Sequence, residues 1–599
     1  MIKSAMTLPD VLSHYEGRVR ELQAGMFNAR WHSNVAAVVM AVAVAAFFML
    51  GFYAFRHRIS FLWLALPLPL AVISALRYRL IRDSGYRMSR LRSFYERAVQ
   101  RVQGEWVGTG VTGEEFTAPD HVYATDLNIL GRGSLFELLC IARTSIGQRG
   151  LATFLLETPS LQETLFRQDA VRELQTRVDL REQVASLGKF EFLESKSSTF
   201  ETWLLSPTLS YSQTLRTLIL ITSTLLAAMV IAGLLGLIPW INVAICISPL
   251  IVFHSCVGLI FRNRVNKMQE WCLPISVETQ VLREGLRLLG RGQFQSPKLG
   301  QLSEQVGNAS HAVHKLERLL SALNERNKEW FYGPSLLLMV GTQMCMAVEQ
   351  WRKEHELSLR VWLQAWAEFE ALNALAAYAY ENPANTFPEF ASGEVCFEAR
   401  ALGHPLLSHS SCIVNDVTLN QTNRFYVVSG SNMSGKSTLL RAIGINAVLA
   451  FAGSPVQASA LRMSRLSVFA SISIVDSLLN GTSRFLAEME RLRRTIESAS
   501  KMPVLFLVDE IFSGTNSRDR RIATEAVVRT LVERGAIGAL STHDLLICEI
   551  GCSETLHGTN VHMGAREGGG PLDFDYRLKQ GVKEEANALA IARMAGVPV

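Results

Sequence analysis

The pattern with the clearest chemical meaning is a glycine-rich segment that ends in Lys436 and Ser437. Residues 430–437 read GSNMSGKS, which matches G-x-x-x-x-G-K-[ST]. Gly430 and Gly435 allow backbone conformations that turn successive N–H groups toward a phosphate, and a helix beginning at Lys436 adds partial positive charge. The pattern predicts a phosphate-binding loop, in which Lys436 reaches the β- and γ-phosphates of ATP and the Ser437 hydroxyl binds Mg²⁺.

Two hydrophobic runs flank this loop in the order that the motif requires. Residues 425–429 are apolar and β-prone, and residues 437–452 lack proline and carry apolar side chains at helical spacing. A strand, a loop and a helix in this order favour a nucleotide site over a chance glycine-rich turn. The residues predicted to contact the nucleotide in this part of the chain are Gly430, Ser431, Asn432, Met433, Ser434, Gly435, Lys436, Ser437 and Thr438.

Acidic side chains follow a second hydrophobic run, 504–508. Five apolar residues followed by Asp509 and Glu510 are typical of a buried parallel strand whose end presents two carboxylates. We predict that Asp509 helps to bind Mg²⁺ and that Glu510 acts as general base or orients the attacking water. A third predicted strand, 536–540, leads to His543, which is predicted to contact the γ-phosphate or the attacking water, although a lone histidine is usually structural.

Short segments around these motifs have family-specific sequences and spacings. They are 402–405 (LGHP), 452–456 (AGSPV), 481–489 (GTSRFLAEM), 509–517 (DEIFSGTNS), 574–576 (FDY) and 595–598 (AGVP). Together with the phosphate-binding loop, they resemble the ATPase domain of the MutS family. The resemblance covers the C-terminal third of the chain well.

The resemblance implies an ABC-type ATPase that works as a homodimer. In that arrangement each nucleotide lies between the phosphate-binding loop of one subunit and the signature segment, 481–489, of the other. Ser483 matches the signature serine, and it precedes a helical run, 484–500, whose N-terminus favours a partner's γ-phosphate. Read without the family, Ser483 is a good helix N-cap, and the two roles are compatible. Cys412 stands where the family often has an adenine-stacking aromatic residue.

Long uncharged runs predict two helical hairpins in a lipid bilayer. Runs 35–55 and 59–76 form the first candidate pair, and runs 218–238 and 241–261 form the second. Basic residues lie at the outer ends of both pairs, which predicts a multi-pass protein of the plasma or inner membrane with its ATPase domain in the cytoplasm. These residues are Arg18, Arg20, Arg30, the eight arginines of 77–101, Arg262, Arg264 and Lys267.

The overall charge bears on which partners the chain can bind, and the cysteine content bears on whether it has disulfides or a zinc site. The 599 residues carry a net charge of +5, for which the arginines beside the membrane runs account. The segment 77–101 suits either anionic lipid or nucleic-acid phosphates, so DNA is a possible partner. The nine cysteines form no C-x-x-C pair, which argues against a disulfide framework or a zinc site.

The predicted fold class is multi-domain, with two transmembrane helical hairpins, an α-helical core or lever domain and a C-terminal P-loop, ABC-type α/β ATPase domain. The predicted units are 1–103 with the first hairpin, a linker at 104–120, a helical MutS core or lever-like region at 121–392 interrupted by the second hairpin (218–261), and the ATPase domain at 393–599. This organisation predicts a membrane-anchored MutS-like ATPase related to DNA binding or repair, without a mismatch-reading domain. An ABC-like ATPase that drives a membrane or transport process without DNA is the alternative.

Overall fold

The computed structural model is helical up to residue 381 and combines helices with two sheets after it. It describes residues 7–56, 58, 60–118, 120–188, 203, 206, 212–326, 328–408, 411–431, 433–472, 484–512, 516–553, 555–564, 566 and 573–582. The helices of the first part are α1 (Leu8–Phe55), α2 (Pro67–Gln103), α3 (Leu135–Leu139), α4 (Ser145–Leu156), α5 (Leu161–Gln175), α6 (Val178–Ala185), α7 (Gln213–Leu234), α8 (Trp240–Arg291), α9 (Pro297–Val306), α10 (Ala309–Glu325), α11 (Glu329–Leu337) and α12 (Val340–Glu381). The second part contains β1 (Glu389–Phe390), β2 (Phe397–Leu402), β3 (Asn415–Leu419), β4 (Phe425–Ser429), α13 (Lys436–Ala452), β5 (Ala460–Met463), β6 (Ser467–Ser471), α14 (Arg484–Ala499), β7 (Val504–Asp509), α15 (Ser517–Glu533), β8 (Ile537–Thr542), α16 (Leu545–Cys548), β9 (Gly558–His562) and β10 (Lys579–Gln580).

Helices α1 and α2 form a long antiparallel pair that extends well beyond its apolar part. At the end nearest the chain's N-terminus, Val11 and Tyr15 of α1 pack against Leu91, Tyr95 and Ala98 of α2. The apolar run predicted at 59–76 is not one helix. A 3₁₀ turn covers Phe61–Ala65, and α2 begins at Pro67 because proline lacks the N–H that the first helical turn leaves unpaired.

Four helices of the described chain are long and apolar enough to cross a membrane. They are Leu8–Phe55, Leu62–Gln103, Gln213–Leu234 and Trp240–Cys272, and only 11–22% of the residues in their apolar windows are buried. The sequence did not predict a fifth candidate span. Helices Phe331–Leu337 and Val340–Glu381 together are also long and apolar enough, with a bend of 71° between them. The structure therefore leaves large apolar surfaces on these helices without a protein partner.

The segment predicted as a linker, 104–120, packs on α3 over its described residues. Trp106 is buried, and the Glu137 carboxylate of α3 accepts hydrogen bonds from the backbone N–H groups of Gly108 and Gly110. These glycines bring the backbone close to the carboxylate. The chain therefore passes from α2 to the core along a fixed path.

Helix α12 forms the centre of the helical core, and its buried carboxylate Glu370 meets the start of α4. The Glu370 carboxylate accepts hydrogen bonds from the backbone N–H of Arg143, at 2.6 Å, and from the Thr144 hydroxyl. Burial raises the pKa of the Glu370 carboxyl to about 7, although these hydrogen bonds favour the charged form. The folded protein therefore holds a proton on Glu370 at pH values where the unfolded chain has released it.

Replacing Glu370 by Gln should remove a pH-dependent loss of stability. A folded pKa above the unfolded value stabilises the protein fully below the unfolded pKa, and this stabilisation disappears as the pH rises through about 7. Between pH 5 and pH 8 the wild type should lose up to about 3 kcal/mol relative to Glu370→Gln. Urea unfolding of the detergent-solubilised protein at both pH values measures this difference. Glu356→Gln, an exposed change on the same helix, is the control, and equal pH dependence in all three proteins would contradict the prediction.

The C-terminal part is the predicted α/β domain, built on two sheets. The larger sheet has the strand order β10-β9-β4-β8-β7-β6, and its strands are parallel except for the antiparallel edge strand β10. The smaller sheet has the order β1-β5-β2-β3. The strand predicted at 536–540 is β8, which begins one residue later and ends two residues later. It is longer because Ser541 and Thr542 remain paired with β4, and Ser541 also with β7. The carboxyl ends of β4, β8 and β7 are therefore adjacent.

Candidate active site

The glycine-rich loop connects the end of β4 to the start of α13, and its two glycines have backbone conformations that would strain any side chain. Gly430 has φ +143°, and a Cβ atom there would lie 2.2 Å from the carbonyl oxygen of Met563. Gly435 has φ +100° at the N-cap of α13. The loop can therefore turn sharply around a small central space, as a phosphate cradle requires.

Lys436 folds back over this loop. Its ammonium nitrogen donates hydrogen bonds to the carbonyl oxygens of Gly430, at 2.8 Å, and Ser431, at 2.9 Å. Burial lowers the pKa of Lys436, whereas Asp509 and Glu510 act in the opposite direction. The buried hydroxyl of Ser434 has no hydrogen-bond partner among the described residues. A cation, an unpaired hydroxyl and a helix N-terminus in one loop fit the phosphates of a nucleotide.

Asp509, at the end of β7, is surrounded by hydroxyl groups. The Ser437 hydroxyl donates to one carboxylate oxygen of Asp509 at 2.5 Å, and the Ser541 hydroxyl of β8 donates to the other. Hydroxyl and carboxylate oxygens are ligands that Mg²⁺ prefers, so Ser437 and Asp509 fit the predicted metal site. Ser541 did not emerge from the sequence, because only the pairing of β7 with β8 places it beside Asp509.

Glu510 and His543 lie together just beyond the sheet edge. The Nδ1 atom of His543 is 3.0 Å from a carboxylate oxygen of Glu510, and both side chains are partly exposed. Glu510 has φ +50°, a left-handed conformation that costs a non-glycine residue about 1–3 kcal/mol. Its backbone N–H donates to the carbonyl oxygen of Ser541 at 3.1 Å, which helps to hold the turn. The structure thus brings both predicted water-activating residues to the same edge.

Two side chains that the sequence did not single out hold the turn after Glu510. The buried Glu488 carboxylate of α14 accepts a hydrogen bond from the backbone N–H of Phe512 at 3.0 Å. The Arg520 guanidinium of α15 donates to the carbonyl oxygen of Ile511 at 2.9 Å. Glu488 belongs to the signature segment, so its place in that motif could have indicated that it has a role near the site.

Asp126 joins the helical part of the chain to the nucleotide domain. Its buried carboxylate accepts hydrogen bonds from the backbone N–H of Ile472 and the guanidinium of Arg491, both at 2.8 Å. Its carbonyl oxygen accepts from Arg441 of α13 at 2.9 Å. One residue therefore contacts both α13, which begins at the phosphate-binding loop, and α14, which follows the signature segment.

The other predicted site residues have different surroundings. Met433 and Thr438 are exposed, whereas Asn432 and Ser483 lie outside the described residues. The sulfur of Cys412 accepts a hydrogen bond from the backbone N–H of His404. An aromatic ring does lie beside the loop: a Cβ atom on Gly435 would be 3.0 Å from the ring of Tyr576.

A known family model covers the part of the chain that contains this site. Residues 426–599 match the family model for MutS domain V. Proteins named DNA mismatch repair protein MutS are 31% identical over 241 residues in Lactobacillus delbrueckii (39% of this chain, 28% of the relative) and 30% identical over 357 residues in Lactobacillus acidophilus (56% and 41%). The relative in Methanosarcina barkeri is 26% identical over 544 residues, 81% of this chain and 59% of its own. This chain thus spans 28–59% of the length of these relatives. Residues 426–599 thus form a domain of the MutS V family.

Proposed function

We propose that this protein is a membrane-anchored, MutS-like ATPase of the ABC type that works as a homodimer. The observation that carries the proposal is the meeting of Lys436, Ser437, Asp509, Glu510 and His543 at the adjacent ends of β4, β7 and β8. These residues supply a phosphate-binding cation, two oxygen ligands for a metal and a carboxylate with a histidine partner. Such a set suits phosphoryl transfer from a nucleotide to water.

Each residue has a defined task in this proposal. The loop's N–H groups and Lys436 bind and orient the β- and γ-phosphates of ATP. Ser437 and Asp509 would hold Mg²⁺, which would neutralise charge on the phosphate oxygens. Glu510 takes a proton from water, and His543 fixes the direction of the Glu510 carboxylate. Ser483 of the second subunit completes the site, as the family resemblance implies.

The membrane part of the proposal rests on the exposed apolar helices and their basic flanks. Both hairpins should be inserted, because their runs lack arginine, which costs about 2.5–3.5 kcal/mol at the centre of a membrane helix. The arginines that flank the hairpins should stay on the cytoplasmic side, which places the N-terminus, the lever region and the ATPase domain in the cytoplasm. In a variant without the native cysteines, an impermeant thiol reagent added to intact cells should label a cysteine at Ser60 or Pro239 and spare one at Val599. Permeabilised cells, in which Val599 becomes labelled, are the control. Labelling of Val599 from outside, or release of the protein by carbonate, would contradict this topology.

DNA is the proposed macromolecular partner, because the relatives carry the name DNA mismatch repair protein. The detergent-solubilised protein should then bind duplex DNA with an affinity that falls steeply as salt increases, since bound phosphates release counterions. Fluorescence anisotropy at graded salt concentrations measures this slope.

The contact of α12 with the second hairpin favours one alternative, an ABC-like ATPase that acts on the membrane without DNA. Absence of DNA binding at low salt, combined with ATP hydrolysis that lipid stimulates, would select this alternative.

A further inference from the structure

A sharp corner between α11 and α12 packs against α7 and α8, the two helices of the predicted second hairpin. The two helices meet at 71°, and Met339 at the corner has φ +52°, a left-handed conformation. Met339 packs in one hydrophobic cluster with Ile219 of α7 and Val257 of α8. The corner is therefore part of the same apolar assembly as the two candidate membrane helices.

At the corner, backbone carbonyl groups that lack a helical N–H partner have side-chain hydrogen-bond partners instead. The Nδ1 atom of His254 lies 2.9 Å from the carbonyl oxygen of Leu337. The hydroxyl of Ser223 and the amide of Gln343 both donate to the carbonyl oxygen of Leu338, at 3.1 and 2.9 Å. Irregular backbone is tolerated at membrane depth only where such groups are satisfied by protein or water. These contacts suit a corner that lies within a bilayer.

The length of the helices gives the depth of the corner. His254 lies seven residues before Phe261, where the apolar run ends, which corresponds to about 10 Å along a helix. Helix α11 reaches the same level from Glu329 with its nine residues. The corner therefore extends about one third of the way into a hydrocarbon core of about 30 Å.

A cavity of about 590 Å³ lies between α8, α11 and the start of α12. Arg262 and Arg326 line it together with Ser335, which is 1% exposed and whose hydroxyl has no hydrogen-bond partner among the described residues. A buried nitrogen of the Arg326 guanidinium also lacks a partner there. None of the described residues that line the cavity carries a carboxylate. Two cations and an unpaired hydroxyl without an acid form a site for an anion.

The wall of the cavity on the membrane side is apolar. Leu259 and Leu336 line it and are 70% and 60% exposed, so they face the space around the helices and not a protein core. Arg262 directly follows the apolar run of α8, at the level of the lipid headgroups. A free anion needs no such wall, whereas a phospholipid has acyl chains that cover it.

We propose that this cavity binds the phosphate headgroup of an anionic phospholipid from the cytoplasmic leaflet, with its acyl chains along Leu259 and Leu336. The inference rests on the proposed membrane insertion. Arg262 and Arg326 contact the phosphate, and the Ser335 hydroxyl donates to it. Basic pockets between helices on the cytoplasmic side recognise anionic headgroups in this way.

The test uses the full chain, extracted from vesicles of phosphatidylcholine that contain a minor fraction of phosphatidylglycerol. Native mass spectrometry of the lipid retained by the protein should show phosphatidylglycerol enriched by roughly 30-fold, the factor that two interfacial guanidinium groups supply. Arg262→Ala combined with Arg326→Ala should abolish the enrichment, and Ser335→Leu should lower it by filling the cavity without removing charge. Arg264→Ala, an exposed change two residues along α8, should leave the enrichment unchanged.

Four results would overturn the site. A wild-type protein that resists carbonate extraction but retains both lipids in proportion to their abundance would overturn the lipid site alone. Equal losses in the double variant and in Arg264→Ala would reduce the effect to general surface charge. Binding of inorganic phosphate in detergent, without any lipid preference, would reassign the cavity to a soluble anion. Release of the wild type by carbonate would instead overturn the membrane proposal, and this site with it.

Discussion

Glu510→Gln should lower ATP turnover by about 10²–10⁴-fold while ATP binding is retained, because the amide keeps the shape of the side chain but cannot take a proton from water. The loop, Lys436 and the two predicted metal ligands remain intact in this variant. The bound nucleotide should therefore accumulate in closed dimers. Phosphate release measures turnover, and light scattering after gel filtration with ATP measures the dimer.

Further variants separate the steps of this reaction. Lys436→Ala should weaken ATP binding itself, since the variant lacks the phosphate-binding cation. Adding Ser483→Ala to Glu510→Gln should prevent the trapped dimer if Ser483 completes the partner's site. Glu533→Gln, on the exposed end of α15, should turn over ATP like the wild type. Unchanged turnover in Glu510→Gln would remove Glu510 from the catalytic role.

Removing one partner of the ion pair between Arg101 and Glu381 should destabilise the protein by about 3–5 kcal/mol, because the other charge is left buried and unpaired. The Arg101 guanidinium of α2 donates two hydrogen bonds to the Glu381 carboxylate of α12, at 2.6 and 2.8 Å, and both side chains are at most 9% exposed. Arg101→Met and Glu381→Leu should each show this loss. The urea midpoint of the detergent-solubilised protein measures it.

The double variant decides whether the loss comes from the unpaired charge. Arg101→Met with Glu381→Leu should recover most of the stability, because neither charge remains. The exposed pair Arg493 and Glu497 of α14 is the control, since breaking it should cost less than about 1 kcal/mol. Additive losses in the double variant would show that Arg101 and Glu381 stabilise the fold independently of one another.

The parts of the site that local patterns encode could be predicted from the sequence. The loop 430–437, its flanking strand and helix, and the carboxylates after 504–508 depend on residues close in the chain, so their periodicity and spacing indicate them. The contact of Asp126 with Arg491 joins residues 365 positions apart, and no local pattern reports it. Ser541 was missed for the same reason, since it reaches Asp509 only through sheet pairing.

The apolar runs predicted where helices of membrane-spanning length occur, but not where these helices are broken or bent. Hydropathy cannot distinguish a 3₁₀ turn from an α-helix, so the break at Phe61–Ala65 before Pro67 was not foreseen. The sequence did not predict the corner at Met339, because α11 has only nine residues and is too short to be recognised as a membrane span by itself. Its position depends on contacts with His254 and Ser223 from distant helices.

Helix α12 runs without interruption for 42 residues, about 60 Å, from the corner at the second hairpin to Glu381 beside the nucleotide domain. A single helix that contacts both regions gives them a common mechanical element. If the protein is inserted in a membrane as proposed and nucleotide closure displaces this helix, thermodynamic reciprocity requires the lipid to change nucleotide affinity by the same factor. Bilayer thickness then becomes an effector of the enzyme, and the Kd for ATP differs between thin and thick membranes.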